Sequence, residues 1–125
     1  MSSGKDLGNA GEEFVANYLQ SKNYEILARN FRFGRMAEVD IIATINDIII
    51  FVEVKTRNSY KYGTPAESVT LKKQQKIIKA AIKFLQDNNL FDNSCRFDVI
   101  EVFANGNQDP NNWKCNHIEN AFELS

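Results

Sequence analysis

The sequence predicts an α/β (mixed α+β) fold in a single domain, with elements in the order α-β-β-β-α-β and a further short strand at the end (α-β-β-β-α-β(-β)). Three observations predict it. An amphipathic helical pattern opens the chain, two runs rich in β-branched residues follow around Asn46-Asp47, and a second helical pattern precedes the last strands. No internal repeat or Pro/Gly-rich linker divides the 125 residues, an ordinary length for one compact domain.

Over residues 7–21, Ala10, Phe14, Tyr18, Val15 and Leu19 share one helical face. Residues 24–33 alternate loosely as a strand, and Gly34 marks the turn after it. Strands are expected at 38–45 and 48–56, because both runs are rich in β-branched residues. Asn46 and Asp47 between them tolerate the left-handed backbone of a tight hairpin. After Gly63-Thr64-Pro65 a helix is expected over 67–86. Ile77, Ile78, Ala81, Ile82 and Leu85 take one side of it, and Lys72, Lys76, Lys79 and Lys83 the other. Asn88-Asn89 ends that helix, 96–103 is a strand, 108–112 a polar turn, and 113–118 a short last strand.

Composition narrows the chemistry. Hydrophobic residues make 43% and charged residues 25%, as in an ordinary soluble globular protein. No apolar run is long enough to span a membrane, and the start, Met1 to Asp6, lacks the apolar stretch of a secretory signal. Cytoplasmic residence is the expectation. Cys95 and Cys115 have no CxxC spacing and read as reduced thiols. His117, the single histidine, has no second histidine with which to build a metal site and reads as structural or exposed. Catalysis then falls to carboxylates and lysine. The net charge of −1 hides an asymmetry: residues 22–83 hold twelve basic against six acidic residues, and the remainder three against ten. A basic middle suggests a local anionic ligand.

The central hairpin carries the chemistry. A two-residue turn at Asn46-Asp47 pairs Val39/Val54, Ile41/Val52, Ala43/Ile50 and Ile45/Ile48 on one wholly apolar face, which is expected in the core. The other face holds Thr44/Ile49, Ile42/Phe51, Asp40/Glu53 and Glu38/Lys55. Asp40 and Glu53 become cross-strand neighbours, with Cα atoms about 4.5 to 5.5 Å apart. Lys55 follows about 6.6 Å along the same face. Opposed carboxylates destabilise a sheet unless positive charge lies between them. A divalent cation held by Asp40, Glu53 and the Val54 carbonyl would supply it, and such oxygen donors suit magnesium or manganese. The same spacing also fits an exposed hairpin end with a Glu38–Lys55 pair and solvated acids.

At these residues the chain resembles a known group. Asp40 with Glu53-Val54-Lys55 looks like the PD-(D/E)xK signature of restriction-endonuclease-like nucleases. The whole chain is similar to the YraN-like bacterial family of that superfamily. The resemblance lies in Gly8-Asn9-Ala10-Gly11-Glu12, Ala28-Arg29-Asn30-Phe31-Arg32, Glu38-Val39-Asp40-Ile41-Ile42-Ala43 and Phe51 through Arg57. It continues in Val69-Thr70 with Lys73, Arg96-Phe97-Asp98-Val99, and His117 through Phe122. Ala37 departs from the glycine usual before Glu38, yet leaves every acid in place.

The resemblance implies a restriction-endonuclease-like core, a central mixed β-sheet flanked by helices, as in Holliday-junction resolvases. It implies metal binding by Asp40 and Glu53 and a lysine, Lys55, that orients water or supports the charged transition state. It adds Glu12 as a further acid beside the metal, where the residues alone equally allow stabilisation of the first helical turn. Glu13 points about 100° away and is expected in solvent. Related resolvases act as dimers, so a homodimer is among the expectations.

Phosphodiester hydrolysis explains the residue types, because a divalent ion acidifies water and polarises the phosphoryl oxygen while lysine meets developing charge. Lys72, Lys76, Lys79 and Lys83, with Lys73, Arg57, Lys61, Arg29, Arg32 and Arg35 around the hairpin, offer contacts to a phosphate backbone. A lysine stripe opposite an apolar face also serves simply as the solvated side. Three functions follow: a Mg2+- or Mn2+-dependent nuclease on structured nucleic acid, DNA before RNA; a binding module without cleavage; or a protein-interaction domain on the same fold.

Overall fold

A computed structural model describes residues 4–58 and 69–123. Helix α1 (Gly4–Ser21) leads into three strands, β1 (Glu25–Phe33), β2 (Ala37–Ile45) and β3 (Ile48–Arg57). Helix α2 (Leu71–Asp87), β4 (Cys95–Phe103), a single turn of 3-10 helix at Pro110–Asn112 and β5 (Lys114–Phe122) follow. The five strands form one sheet in chain order, β1-β2-β3-β4-β5. All neighbours are antiparallel except β3 and β4, which run parallel because α2 carries the chain across. The fold is therefore mixed α/β, a five-stranded sheet flanked by two helices, and matches a restriction-endonuclease-like core. No helix of the described residues is long and apolar enough to cross a membrane.

The hairpin register follows the sequence at first. Asn46 and Asp47 turn with φ of 50° and 65°, and Ile45/Ile48, Ala43/Ile50 and Ile41/Val52 face one another. Burial corrects the expectation of a single core face. Ile41, Ala43, Ile50 and Val52 pack with Val15 and Leu19 of α1, while Ile42, Ile49 and Phe51 pack with Ile77, Ala81 and Phe84 of α2. A crossover helix on one side and α1 on the other cover both faces of β3, as a strand with a parallel neighbour requires. Val39 is a second correction: it packs with the α2-side core, not with Ile41. The alternation changes phase across Asp40, which is where the β2–β3 ladder stops.

Helix ends show why each element has its length. Asn23 and Asn89 take left-handed φ of 71° and 54°. Tyr24 then donates its N–H to the Leu19 carbonyl at 3.0 Å, and Leu90 donates to Leu85 at 2.9 Å. Both helices close in this way, with asparagine in the position usually held by glycine. At its other end α2 begins at Leu71, later than the expected residue 67. Thr70 is its N-cap, accepting from the Lys73 N–H at 3.2 Å. Glu67 and Gly63-Thr64-Pro65 lie outside the described residues.

Strand β5 runs on to Phe122, beyond the expected end at 118. The extension is anchored on Asp98, which is fully buried in β4. Asp98 accepts from the Asn120 N–H at 3.0 Å and from Arg96 at 2.9 and 3.1 Å, and lies 2.7 Å from His117 Nε2. His117 Nδ1 meets the Tyr18 hydroxyl of α1 at 3.0 Å, and Arg96 donates to the Tyr24 hydroxyl at 2.9 Å. These bonds hold Asp98 below the usual carboxylate range, outweighing the burial that pushes it up. The lone histidine is thus a structural strut. Both cysteines are free, and burial pushes their thiols upward, away from reactivity.

Candidate active site

The site forms where β2 and β3 part. Beyond Ile41/Val52 the ladder gives way, and Asp40 Oδ2 takes the Val54 N–H at 2.8 Å in place of a backbone carbonyl. Asp40 and Glu53 are therefore not a ladder pair as expected. They meet as side chains in the gap, close enough to share a proton. Asp40 is pushed up to about 8, first by burial and then by the Glu53 charge, with the Val54 N–H opposing.

Glu53 is 4% exposed and already has cations beside it. Lys73 Nζ, from the first turn of α2, lies 2.6 Å from Glu53 Oε1, and Lys55 Nζ lies 3.7 Å from the same oxygen. Burial and the neighbouring Lys73 lower the Lys55 pKa, while burial of Lys73 is outweighed by its hydrogen bonds to Glu53 and Lys55, which raise it. Of the two, Lys73 is the better held proton carrier. An open cleft over the pair is lined by Met36, Glu38, Asp40, Glu53, Lys73 and Lys76, together with Thr70, Lys72 and Ile77.

Glu12 approaches from α1. Gly11 makes this possible, because an added Cβ would lie 1.8 Å from Thr56 Oγ1 of β3. With its amide turned to satisfy its neighbours, Asn30 donates to Glu12 Oε1 at 2.9 Å and Glu38 Oε1 at 3.2 Å. Burial and the Glu38 charge raise the Glu12 pKa against Arg29 and Asn30, and Glu53 adds to the rise. Asn30 was missed in the sequence. Its signal is an asparagine at φ 52° within a strand, a conformation the alternation of β1 does not reveal.

The basic residues divide. Lys72 and Lys76 line the cleft, and Lys79 is exposed on α2. Lys83 pairs with Asp87 at 3.0 Å and sits 5.8 Å above the Phe33 ring. Arg32 lies 3.5 Å from Glu38, and Arg35 is exposed at the β1–β2 turn. Arg29 pairs with Glu13 at 2.7 Å, so Glu13 is exposed as expected but not solitary. Arg57 turns inward to the buried Glu101 at 2.5 Å. Lys61 lies outside the described residues.

Among the described residues, no three Asp, Glu, His or Cys side chains stand close enough to hold a metal ion as placed. The Asp40–Glu53 pair fits a hard cation by its chemistry, being two neighbouring carboxylates, with burial and the Glu53 charge raising Asp40 to about 8 and Glu12 near enough to add to the rise.

Fold and site together define an α/β protein of restriction-endonuclease-like architecture, with two acids and two lysines gathered where its central hairpin opens. The chain belongs to the uncharacterised protein family UPF0102, whose model matches residues 11–102. It is 47% identical over 118 residues to a UPF0102 protein of Clostridioides difficile (strain 630), covering 94% of this chain and 97% of that one. A UPF0102 protein of Alkaliphilus oremlandii (strain OhILAs) is 45% identical over 120 residues, covering 94% and 98%.

Proposed function

We propose that the chain is a metal-dependent endonuclease hydrolysing phosphodiester bonds in structured DNA, such as branched, flapped or damaged intermediates. The observation that carries this reading is the Asp40–Glu53 pair in the hairpin gap, Glu53 buried and Asp40 half-buried, with Asp40 pushed up to about 8. Asp40 and Glu53, with the Val54 carbonyl and Glu12, would hold Mg2+ or Mn2+. When bound, such an ion acidifies water and polarises the phosphoryl oxygen.

The chain's own residues do the rest. The Val54 N–H fixes Asp40 by one oxygen, Oδ2. Lys55, held on β3 beside Glu53, faces charge developing on the phosphate. Lys72, Lys76, Lys79 and Lys83, with Arg32 and Arg35, position a phosphate backbone without reading its sequence. DNA is the favoured partner, and assembly as a homodimer would align two such clefts.

A non-catalytic nucleic-acid-binding module is favoured by one observation, the Lys73 ammonium 2.6 Å from Glu53, which supplies positive charge without any metal. A cleavage screen of labelled DNA and RNA structures with magnesium or manganese separates the two. Wild type is expected to cut at least one branched or flapped DNA, and Lys55→Ala to lose roughly a hundredfold to a thousandfold in single-turnover rate with little loss of affinity. Salt-sensitive binding with no cleavage under either metal would replace the nuclease by the binding module.

A further inference from the structure

Glu53 carries two ammonium groups on one oxygen. Lys73 Nζ is 2.6 Å from Oε1 and Lys55 Nζ 3.7 Å from it. A carboxylate with 4% exposure is costly to bury without such a partner. A divalent cation arriving at the same oxygens would place three positive groups around one carboxylate, and one of them has to leave.

The two lysines are not equally free to go. Lys55 stands on β3 in the interior of the sheet with its side chain 25% exposed, whereas Lys73 stands on the first turn of α2 with 42% exposed. Lysine's flexible stem lets Lys73 move without disturbing its helix. The Thr70 cap on the Lys73 N–H keeps that turn in place while the ammonium swings. Lys72 and Lys76 line the same cleft, so an ammonium released there joins an existing positive rim.

We propose that Lys73 is the resident counter-ion of Glu53, that it yields Glu53 to an incoming divalent cation, and that its freed ammonium then binds a phosphate in the cleft. This rests on the metal-site reading above and adds a regulation to it. Without metal, Lys73 neutralises the buried acid. With metal, the cleft gains one more phosphate-binding cation, so metal and nucleic acid favour each other's binding.

Manganese titrated calorimetrically into wild type, Lys73→Met and Lys76→Met tests the exchange. Methionine keeps the stem and removes the charge at a half-buried helix position, and melting by circular dichroism checks that each variant is folded. Lys73→Met is expected to bind manganese about tenfold more tightly, since a competing charge-assisted hydrogen bond is gone. Lys76→Met removes a charge from the same cleft without touching the Glu53 ion pair and should gain far less. In wild type, mass mapping of amine acetylation should show Lys73 becoming more reactive when manganese is added. Equal manganese affinity in wild type and Lys73→Met would overturn the role of Lys73 and leave the metal site standing. No manganese binding by either protein would remove the metal site and this proposal with it.

Discussion

Asp40 is a carboxyl group whose surroundings favour its neutral form. Its ordinary value of 3.8 is raised to about 8 in the folded chain, so the folded protein keeps a proton that the unfolded chain has released. Stability therefore falls as pH rises from about 4 to about 8, and the full cost is present above that window. Asparagine at this position keeps an oxygen for the Val54 N–H and offers an amide N–H to Glu53. In metal-free protein Asp40→Asn should thus be stabilising by about 1–3 kcal/mol at pH 8, and nearly neutral at pH 4. Thermal melts in chelator across that range measure it, and wild-type and variant curves that run parallel would contradict the burial argument. A gain in stability on removing a charge is what a site strained for binding shows. Asp40 and Glu53 could be brought near each other from the register alone. Their meeting as side chains across an opened ladder could not, because pairing rules describe strands that stay paired.

At the level of elements, α1 packs closely on β3 at Gly11. Gly11 lets the helix backbone lie against Thr56, one residue beyond Lys55, and the next residue, Glu12, is thereby turned toward the acids. Gly11→Ala should cost about 1–3 kcal/mol, since its Cβ would overlap Thr56 Oγ1 and force the helix outward. Adding Thr56→Ala should recover part of that loss but not all, because the residue 56 Cβ remains 3.0 Å away. Urea unfolding of the two single variants and the double variant checks both statements; purely additive losses would mean that the two positions do not touch. Element order and the hairpin turn were legible because periodicity and Asn46-Asp47 are local signals. The start of α2 was not. Residues 67–70 continue an acceptable helical composition, and Thr70 ends it by using its hydroxyl as a cap. The uninterrupted apolar run Ile48 to Val52 did carry a signal for burial on both faces, which strict alternation concealed.

Over the whole molecule, the network around Asp98 joins α1, the start of β1, β4 and β5 through Tyr18, Tyr24, Arg96, His117 and Asn120. Arg96→Met should destabilise by about 3 kcal/mol, because it leaves a fully buried acid short of its main cation. His117→Gln, which can keep one hydrogen bond, should cost less, and guanidinium unfolding of both variants ranks them. An equal loss in the two would mean that packing, not charge, sets the value. The parallel β3–β4 pairing has a kinetic meaning as well. Every partner along it is 46 residues away in the chain, whereas the β1–β2–β3 meander and the β4–β5 hairpin are built from adjacent strands. The two antiparallel halves can form early and locally, and their joining closes the longest loop. Glu12, Asp40, Glu53 and Lys55 all belong to the first half, and Lys73 arrives only with the crossover helix. Joining the halves is then also the moment at which Lys73 reaches Glu53, which until that point has only Lys55 beside it.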